Sequence, residues 1–354
     1  MFRFGIWKKG LILAVVVIAM FGMTACSKGN TKTLRIYNAG EYIKESLIGK
    51  FEKEYDCDVV YSTFDSNESM YTMLNSGESF DILVPSDYMI ERLINEDYLQ
   101  KLDWSKIKVK DDLVKDCLDK EYDKGNKYSV PYYWGTVGIL YNTEVVDKKD
   151  LEQGWDILCN KKYKNKLYLY NSERDSFMIA LKALGYSMNT SKKSELDDAY
   201  EWLVNQNKKM KPVYVGDDVI DNMISGNKDM AVVYSGDAAL ITSESKKKLD
   251  FFIPKQGTNE WVDGMVITKD CKNTDLAYDF MNFILSEENA VPNTEYIGYS
   301  SSVKKVYENM QKTTFKGISA YKVDTSNKKN EVFRNQDEET KRYMSELWTK
   351  VISQ

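Results

Sequence analysis

The sequence predicts an α/β protein built from two lobes, and three observations support this fold class. The chain has 354 residues, a length that suits two domains of ordinary size. Strand-like and helix-like segments alternate along it in two successive series, which is typical of mostly parallel sheets covered by helices. No repeat or low-complexity linker separates the two series. Two lobes joined by strand-like crossings therefore explain the pattern better than two independent domains.

The N-terminus has the pattern of a lipoprotein signal peptide. Basic residues precede an apolar run at residues 11–23, which is too short to span a bilayer comfortably. The run ends in the segment MTAC, and small residues before a cysteine resemble a bacterial lipobox. We therefore expect removal of residues 1–25, a lipid on Cys26 and a tether over residues 26–33. The alternative is an uncleaved membrane anchor.

The first series alternates three strands with three helices. Residues rich in β-branched and aromatic side chains predict strands at 34–37, 58–63 and 81–84. Apolar residues at helical spacing predict helices at 41–54, at 67–74 and after Ser86, which can cap the third helix. This order implies a mostly parallel sheet covered by helices.

The second series continues the alternation to the C-terminus. Extended segments are predicted at residues 129–133, 138–142, 166–170, 213–215, 230–234, 251–253 and 265–268. Helices are predicted at residues 177–184, closed by Gly185, at 196–203, after a Thr274 cap, and through the C-terminal part of the chain.

Composition excludes several kinds of protein. Histidine is absent, which excludes Ser-His-Asp and Cys-His catalysis and removes the commonest ligand of zinc and copper. Lys+Arg (49) and Asp+Glu (54) are interspersed for a formal charge of −5, so no basic stripe indicates a nucleic-acid partner. We expect no cofactor and no metal site. The cysteines beyond Cys26 are widely spaced, and we expect free, mostly buried thiols at Cys57, Cys117, Cys159 and Cys271.

Aromatic, hydroxyl and acidic residues recur after the predicted strands. Open α/β lobes bind ligands beyond the carboxyl ends of their strands, and clefts between lobes favour small ligands. Carboxylates bind ammonium groups and aromatic faces attract cations, so this mixture suits a polyamine. Each residue also has a structural interpretation: a helix cap for Ser86 or Asp87, a turn for Asp237, packing for Trp261 and an ion pair for Arg174.

Several segments resemble the spermidine/putrescine-binding family of bacterial ABC importers, from about Leu34 to the C-terminus. They are YNAGEYI (37–43), YSTFDSNESMYTML (61–74), FDILVPSDYMIERL (80–93), YSVPYYWGTVGILYN (128–142), ALGYSMNT (183–190), EWVDGMVI (260–267) and EYIGYSSS (295–302). The resemblance implies a two-lobed type II periplasmic-binding-protein fold with a hinged cleft. It also implies a solute-binding protein rather than an enzyme, with a permease and an ATPase as partners. We expect a monomer, lipid-anchored on the extracellular or periplasmic face of the cell membrane.

The resemblance also assigns the lobes and the ligand site. Lobe 1 is expected to comprise residues 34–138 and 264–307, and lobe 2 residues 139–263 and 308–354. The family's aromatic box falls on Tyr42, Tyr88, Tyr234, Trp261 and Tyr299, and its central carboxylate on Asp263. Further expected contacts are Glu41, Ser86 and Asp175.

The sequence departs from the family pattern at one end of this site. Ala39 and Gly40 stand where the family commonly has a tryptophan, and Ser172 and Asp175 stand where it commonly has two acids. Glu173 could replace the lost carboxylate, and a late polar contact of the family aligns with Phe333. The choice among spermidine, putrescine and another small cationic or chelated solute stays open. An extracellular hydrolase that pairs Asp263 with Glu41 or Asp175 is a further alternative.

Overall fold

The structure is a computed structural model that describes residues 32–353, and its elements follow the predicted alternation. The strands are β1 (Lys32–Ala39), β2 (Cys57–Phe64), β3 (Ile82–Leu83), β4 (Ser129–Asn142), β5 (Leu167–Tyr170), β6 (Val213–Val215), β7 (Met230–Tyr234), β8 (Leu249–Phe252), β9 (Glu260–Ile267) and β10 (Ser300–Ser301). The helices are α1 (Ser46–Tyr55), α2 (Asn67–Asn75), α3 (Asp87–Asn95), α4 (Glu173–Leu184), α5 (Lys193–Met210), α6 (Val219–Ile224), α7 (Ser235–Glu244), α8 (Thr274–Leu285), α9 (Glu287–Ile297), α10 (Lys304–Lys312) and α11 (Glu338–Ile352).

The predicted signal peptide and Cys26 lie outside the described residues. Strand β1 begins at Lys32, within the last two positions of the predicted tether. Among residues 32–353, no helix combines the length and the apolar character needed to cross a bilayer.

The strands follow the order β2-β1-β3-β9-β4-β7-β5-β6, and β8 and β10 also pair with β4. Strands β1, β2 and β3 pair in parallel, as expected of the first series, and together with β9, β10 and the first half of β4 they form what we call the first sheet. Strands β5, β6, β7 and β8 and the second half of β4 form the second sheet.

Strand β4 runs through both sheets. Its residues 129–136 pair with β9, and residues 137–142 pair with β7 and β8. The two extended segments predicted here are thus one continuous strand, buried along its whole length. All of β9 pairs within the first sheet, so the chain returns to that sheet before Glu260. The predicted boundary between the lobes, after Asp263, lies inside strand β9.

Several element ends and helix caps differ from the prediction. Helix α1 begins at Ser46 because Glu41 is left-handed, with a φ of 51°, and the chain turns there before the helix starts. Helix α4 begins early because the Ser172 hydroxyl accepts a hydrogen bond from the Asp175 backbone N–H. Ser86 occupies the cap position of α3 without a capping bond from its side chain, and Thr274 is the first residue of α8 rather than its cap.

One continuous apolar core joins the helices to both sheets, and a second core lies between α4, α5 and α11. Leu196, Leu203 and Leu347 are buried in this second core, so the C-terminal helix packs on the helices of the second sheet. The four cysteines of the described part are free, and Cys159 is less buried than the other three. This confirms the expectation of free, mostly buried thiols.

Candidate ligand-binding cleft

A row of aromatic rings lines the place where the two sheets meet. The ring of Tyr299 lies 5.6 Å from Tyr42 and 5.3 Å from Trp261, centroid to centroid. Tyr234 lies 6.1 Å beyond Trp261, and Tyr170 lies 5.0 Å from Tyr234. Four of the five predicted box residues therefore contact one another, and Tyr170 extends the row. The spacing is typical of edge-to-face and tilted aromatic contacts.

Asp263 lies beside this row on β9. The Tyr42 hydroxyl donates a hydrogen bond of 2.5 Å to Asp263 Oδ2, and Ser86 pairs with Asp263 through an isolated antiparallel bridge. Desolvation by the surrounding protein raises the pKa of Asp263 to about 6, although the hydrogen bonds from Tyr42 and Ser86 lower it. The Ser86 side chain also accepts a hydrogen bond of 3.1 Å from Asn67. Tyr42, Ser86 and Asp263 thus form one hydrogen-bonded group.

Asp175 is a second carboxylate at this cleft, buried in the first turn of α4. It accepts a hydrogen bond of 2.7 Å from the Tyr234 hydroxyl through Oδ2, while Oδ1 is buried without a partner in the described structure. Burial raises the pKa of Asp175, and the nearby hydroxyls of Tyr234 and Ser172 and the charge of Arg174 oppose that rise. Ser172 serves as the helix cap here, so it places Asp175 rather than replacing the missing acid.

Asp237 is a third carboxylate, and the sequence-based site left it out. It lies in the first turn of α7 and accepts hydrogen bonds from Tyr299, at 2.7 Å, and from Tyr170, at 3.3 Å. Burial raises the pKa of Asp237 to about 7. The available signal was its position directly after a strand, in the segment SGD, which resembles the PSD segment before α3. The sequence-based interpretation of Asp237 as a turn residue was possible because turns and strand-end ligand sites use the same residue types.

Two glycines allow the rings to approach the backbone. A Cβ at Gly236 would lie 2.2 Å from the Tyr299 ring, and a Cβ at Gly135 would lie 2.6 Å from the Trp261 ring. A larger residue at either position would push the aromatic row out of place. The Trp261 Nε1–H is buried and has no acceptor in the described structure.

Tyr88 differs from the other predicted box residues, because a side chain of the protein covers its ring. The Arg174 guanidinium carbon lies 3.7 Å from the Tyr88 ring centroid, and Arg174 forms an ion pair with Glu68 at 3.6 Å. The Tyr88 hydroxyl donates a hydrogen bond of 3.0 Å to the same Glu68. The predicted structural ion pair of Arg174 is therefore confirmed.

Glu41, an expected ligand contact, lies apart from these groups. Its exposed carboxylate accepts a hydrogen bond of 3.0 Å from the exposed Tyr296 hydroxyl. The left-handed turn directs Glu41 outward while the next residue, Tyr42, is buried. Glu173 lies close to Ser345 of α11, so the structure gives no support to its role as a substitute acid. Phe333 is buried against Tyr88, with ring centroids 6.4 Å apart.

The cleft therefore concentrates carboxyl groups that have no basic side chain of the described part of the protein as a close partner, with Arg174 beside Asp175 as the exception. Among residues 32–353, no lysine or arginine lowers the pKa of Asp237 or Asp263, and Arg174 is the one cation that acts on Asp175. Buried charges are normally paired, so three carboxylates among aromatic rings favour a cationic ligand. In the same part of the chain, no group of three or more potential ligands is placed to hold a metal ion.

Comparison with known proteins finds a solute-binding family and polyamine-binding proteins among the similar sequences. Residues 46–318 match the family described as bacterial extracellular solute-binding protein. The spermidine/putrescine-binding periplasmic protein of Salmonella typhimurium is 35% identical over 297 residues, which cover 83% of each chain. The putrescine/cadaverine-binding protein of Pseudomonas aeruginosa is 29% identical over 359 residues, 97% of this chain and 99% of that protein.

A solved structure of a putative spermidine/putrescine ABC transporter from Listeria monocytogenes superposes with a TM-score of 0.82 at 39% identity. The match covers 91% of this chain and 99% of that one. These findings confirm the resemblance seen in the sequence and the two-lobed α/β fold.

Proposed function

Because this chain belongs to the family of bacterial extracellular solute-binding proteins, which are transporter components rather than enzymes, we propose that its cleft binds a linear polyamine for an ABC importer. The observation that carries the proposal is the set of three tyrosine-bonded carboxylates at Asp175, Asp237 and Asp263. A polyamine supplies ammonium groups for these carboxylates and methylene groups for the rings between them. The names of the relatives from Salmonella and Pseudomonas support the same ligand class.

Delivery to the membrane is part of the proposal. A lipid on Cys26 would hold the protein, as a monomer, at the extracellular or periplasmic face of the cell membrane. A ligand that contacts both sheets favours the state in which all contacts form at once, so binding closes the lobes around β4. The permease and the ATPase would respond to this closed, loaded form.

A ligand screen tests the proposal directly. Putrescine, spermidine, thiamine and neutral amino acids are compared by thermal shift and by isothermal titration calorimetry. A ligand at 100 times its Kd stabilises the native state by about 2.7 kcal/mol, which a thermal shift detects easily. We expect stabilisation by at least one polyamine and none by the amino acids. Stabilisation by thiamine with no response to any polyamine would replace this ligand class with another cation.

A further inference from the structure

The segment before the last helix is tied to the side of the second sheet. We call residues 329–336 the strap. The Met188 backbone N–H donates a hydrogen bond of 2.9 Å to Glu331 of the strap, and the Arg334 backbone N–H donates one of 2.9 Å to Asn189. Met188 and Asn189 lie in the loop after α4, and α4 packs against β5 of the second sheet. The backbone of Arg334 therefore belongs to the lobe that contains the second sheet.

The Arg334 side chain reaches across to the side of the first sheet. Its Nε lies 3.0 Å from both carboxylate oxygens of Glu91 on α3, and the Asn335 backbone N–H donates a hydrogen bond of 2.8 Å to the same carboxylate. Helix α3 packs against β9 of the first sheet. Contacts with both oxygens fix the orientation of the two groups as well as their distance. A second pair joins the same helix to α11, with Arg92 3.4 Å from Glu338.

Resting on the proposed polyamine function, we propose that Glu91 and Arg334 are positioning residues that form a latch between the lobes, which stabilises the closed form and raises the affinity for every polyamine by one common factor. The two residues belong to the sides of different sheets, so opening of the cleft separates them. A ligand that needs both lobes binds with an apparent affinity that scales with the population of the closed form.

The exposure of the latch sets the size of its effect. The side chain of Glu91 is 13% exposed and that of Arg334 is 39% exposed. A partly buried pair is screened less than one at the surface, but it still contributes far less than the ligand contacts themselves. The latch therefore favours closure without preventing release of the ligand.

The test measures putrescine and spermidine binding by isothermal titration calorimetry for Glu91→Gln, Arg334→Gln and the double variant. Glu91→Gln keeps an oxygen that accepts the hydrogen bond from Asn335 and removes the charge. Each single variant should weaken binding of both amines about three- to tenfold, by the same factor and with unchanged stoichiometry. The double variant should lose no more than the weaker single variant, because either change alone already breaks the pair. Stopped-flow fluorescence should show faster dissociation of both amines, since the cleft opens before release.

The matched control is Lys166→Gln with Asp229→Asn, an ion pair of similar exposure within one sheet. Lys166 lies 3.1 Å from Asp229, their side chains are 42% and 17% exposed, and they directly precede the paired strands β5 and β7. This control should leave both affinities unchanged within twofold.

Wild-type affinities in both Glu91→Gln and Arg334→Gln would overturn the proposal. Additive losses in the double variant would also overturn it, because two residues of one latch cannot lose the same contact twice. Unequal losses for putrescine and spermidine would assign the pair to ligand contact instead of closure. If one single variant does not fold, the other decides the matter. A wild type that binds neither amine would instead refute the proposed function.

Discussion

Replacing Asp263 by asparagine separates ligand recognition from folding. Asparagine keeps the shape of the side chain and an oxygen that accepts the hydrogen bond from Tyr42, which is 2.5 Å long in the structure. It removes the charge that a ligand ammonium would pair with. We therefore expect Asp263→Asn to weaken polyamine binding without disturbing the aromatic row.

The structure sets the size of both effects. Loss of a charge-assisted contact to a desolvated cation costs about 2–5 kcal/mol, or about 30-fold to several thousand-fold in Kd. Raising the pKa of Asp263 from 3.8 to about 6 means that the protein disfavours the charged carboxylate by roughly 3 kcal/mol. The ligand-free Asp263→Asn protein should therefore be at least as stable as the wild type at pH 8, because it no longer has to bury that charge.

The assay combines calorimetric titration with denaturant unfolding of the ligand-free protein. Asp123→Asn is the matched control, since Asp123 is a buried carboxylate with a structural environment. Its oxygens accept hydrogen bonds from the backbone N–H groups of Lys127, Tyr128 and Ser129 and from the Ser129 hydroxyl. The control should lower the free energy of unfolding and leave the affinity of the folded protein intact. Unchanged affinity in Asp263→Asn, or reduced affinity together with reduced stability, would refute the reasoning.

Three further predictions concern pH, closure and anchoring. Burial raises the pKa of Asp237 to about 7 and that of Asp263 to about 6, above the ordinary 3.8, so between about pH 4 and pH 7 these two carboxyls bind more protons in the folded protein than in the unfolded chain. Their contribution to the free energy of unfolding of the ligand-free protein should therefore fall as the pH rises from about 4 to 7, while polyamine affinity rises. The double variant Asp237→Asn/Asp263→Asn should lose this contribution, and a variant whose unfolding free energy follows the wild-type pH dependence would contradict the prediction. The cognate polyamine should compact the protein in solution scattering and change its tryptophan fluorescence. Trp261→Ala should remove most of the fluorescence change, whereas the control Trp202→Phe, on the remote helix α5, should keep it. Saturation with polyamine without compaction would refute lobe closure. Cys26→Ser should release the protein from membranes or leave it unprocessed, and mass spectrometry that still finds an N-terminal lipid would refute the assignment.

Local pattern was sufficient for most elements of the fold. Residues 58–63 and 230–234 predict strands because their β-branched and aromatic side chains suit a pleated, half-buried surface, and both lie within strands of the structure. The apolar stripe at 41–54 predicts a helix correctly but misplaces its start. The left-handed turn at Glu41 depends on where the chain must go next, and no local pattern reveals that.

The candidate site was predictable in part for the same reason. Tyr42, Asp175 and Tyr234 lie at or just after predicted strand ends, where open α/β lobes bind ligands, and the family resemblance then assigned them to one site. Asp237 had the same position after a strand but also the features of an ordinary turn. Only its burial between the hydroxyls of Tyr299 and Tyr170 distinguishes the two.

The sequence by itself determined the fold class, the absence of histidine chemistry and the kinds of side chain that line the candidate cleft, because residue type and periodicity are local properties. The tertiary structure alone decided which charged groups pair with one another or with an aromatic ring. The Glu41 side chain is exposed to solvent. Arg174 lies 86 positions after Tyr88 in the chain, and it stacks on the Tyr88 ring from helix α4, which packs beside the second sheet. Electrostatic pairing depends on distances of a few ångströms between segments remote in sequence, and those distances are set by how the two sheets pack around β4.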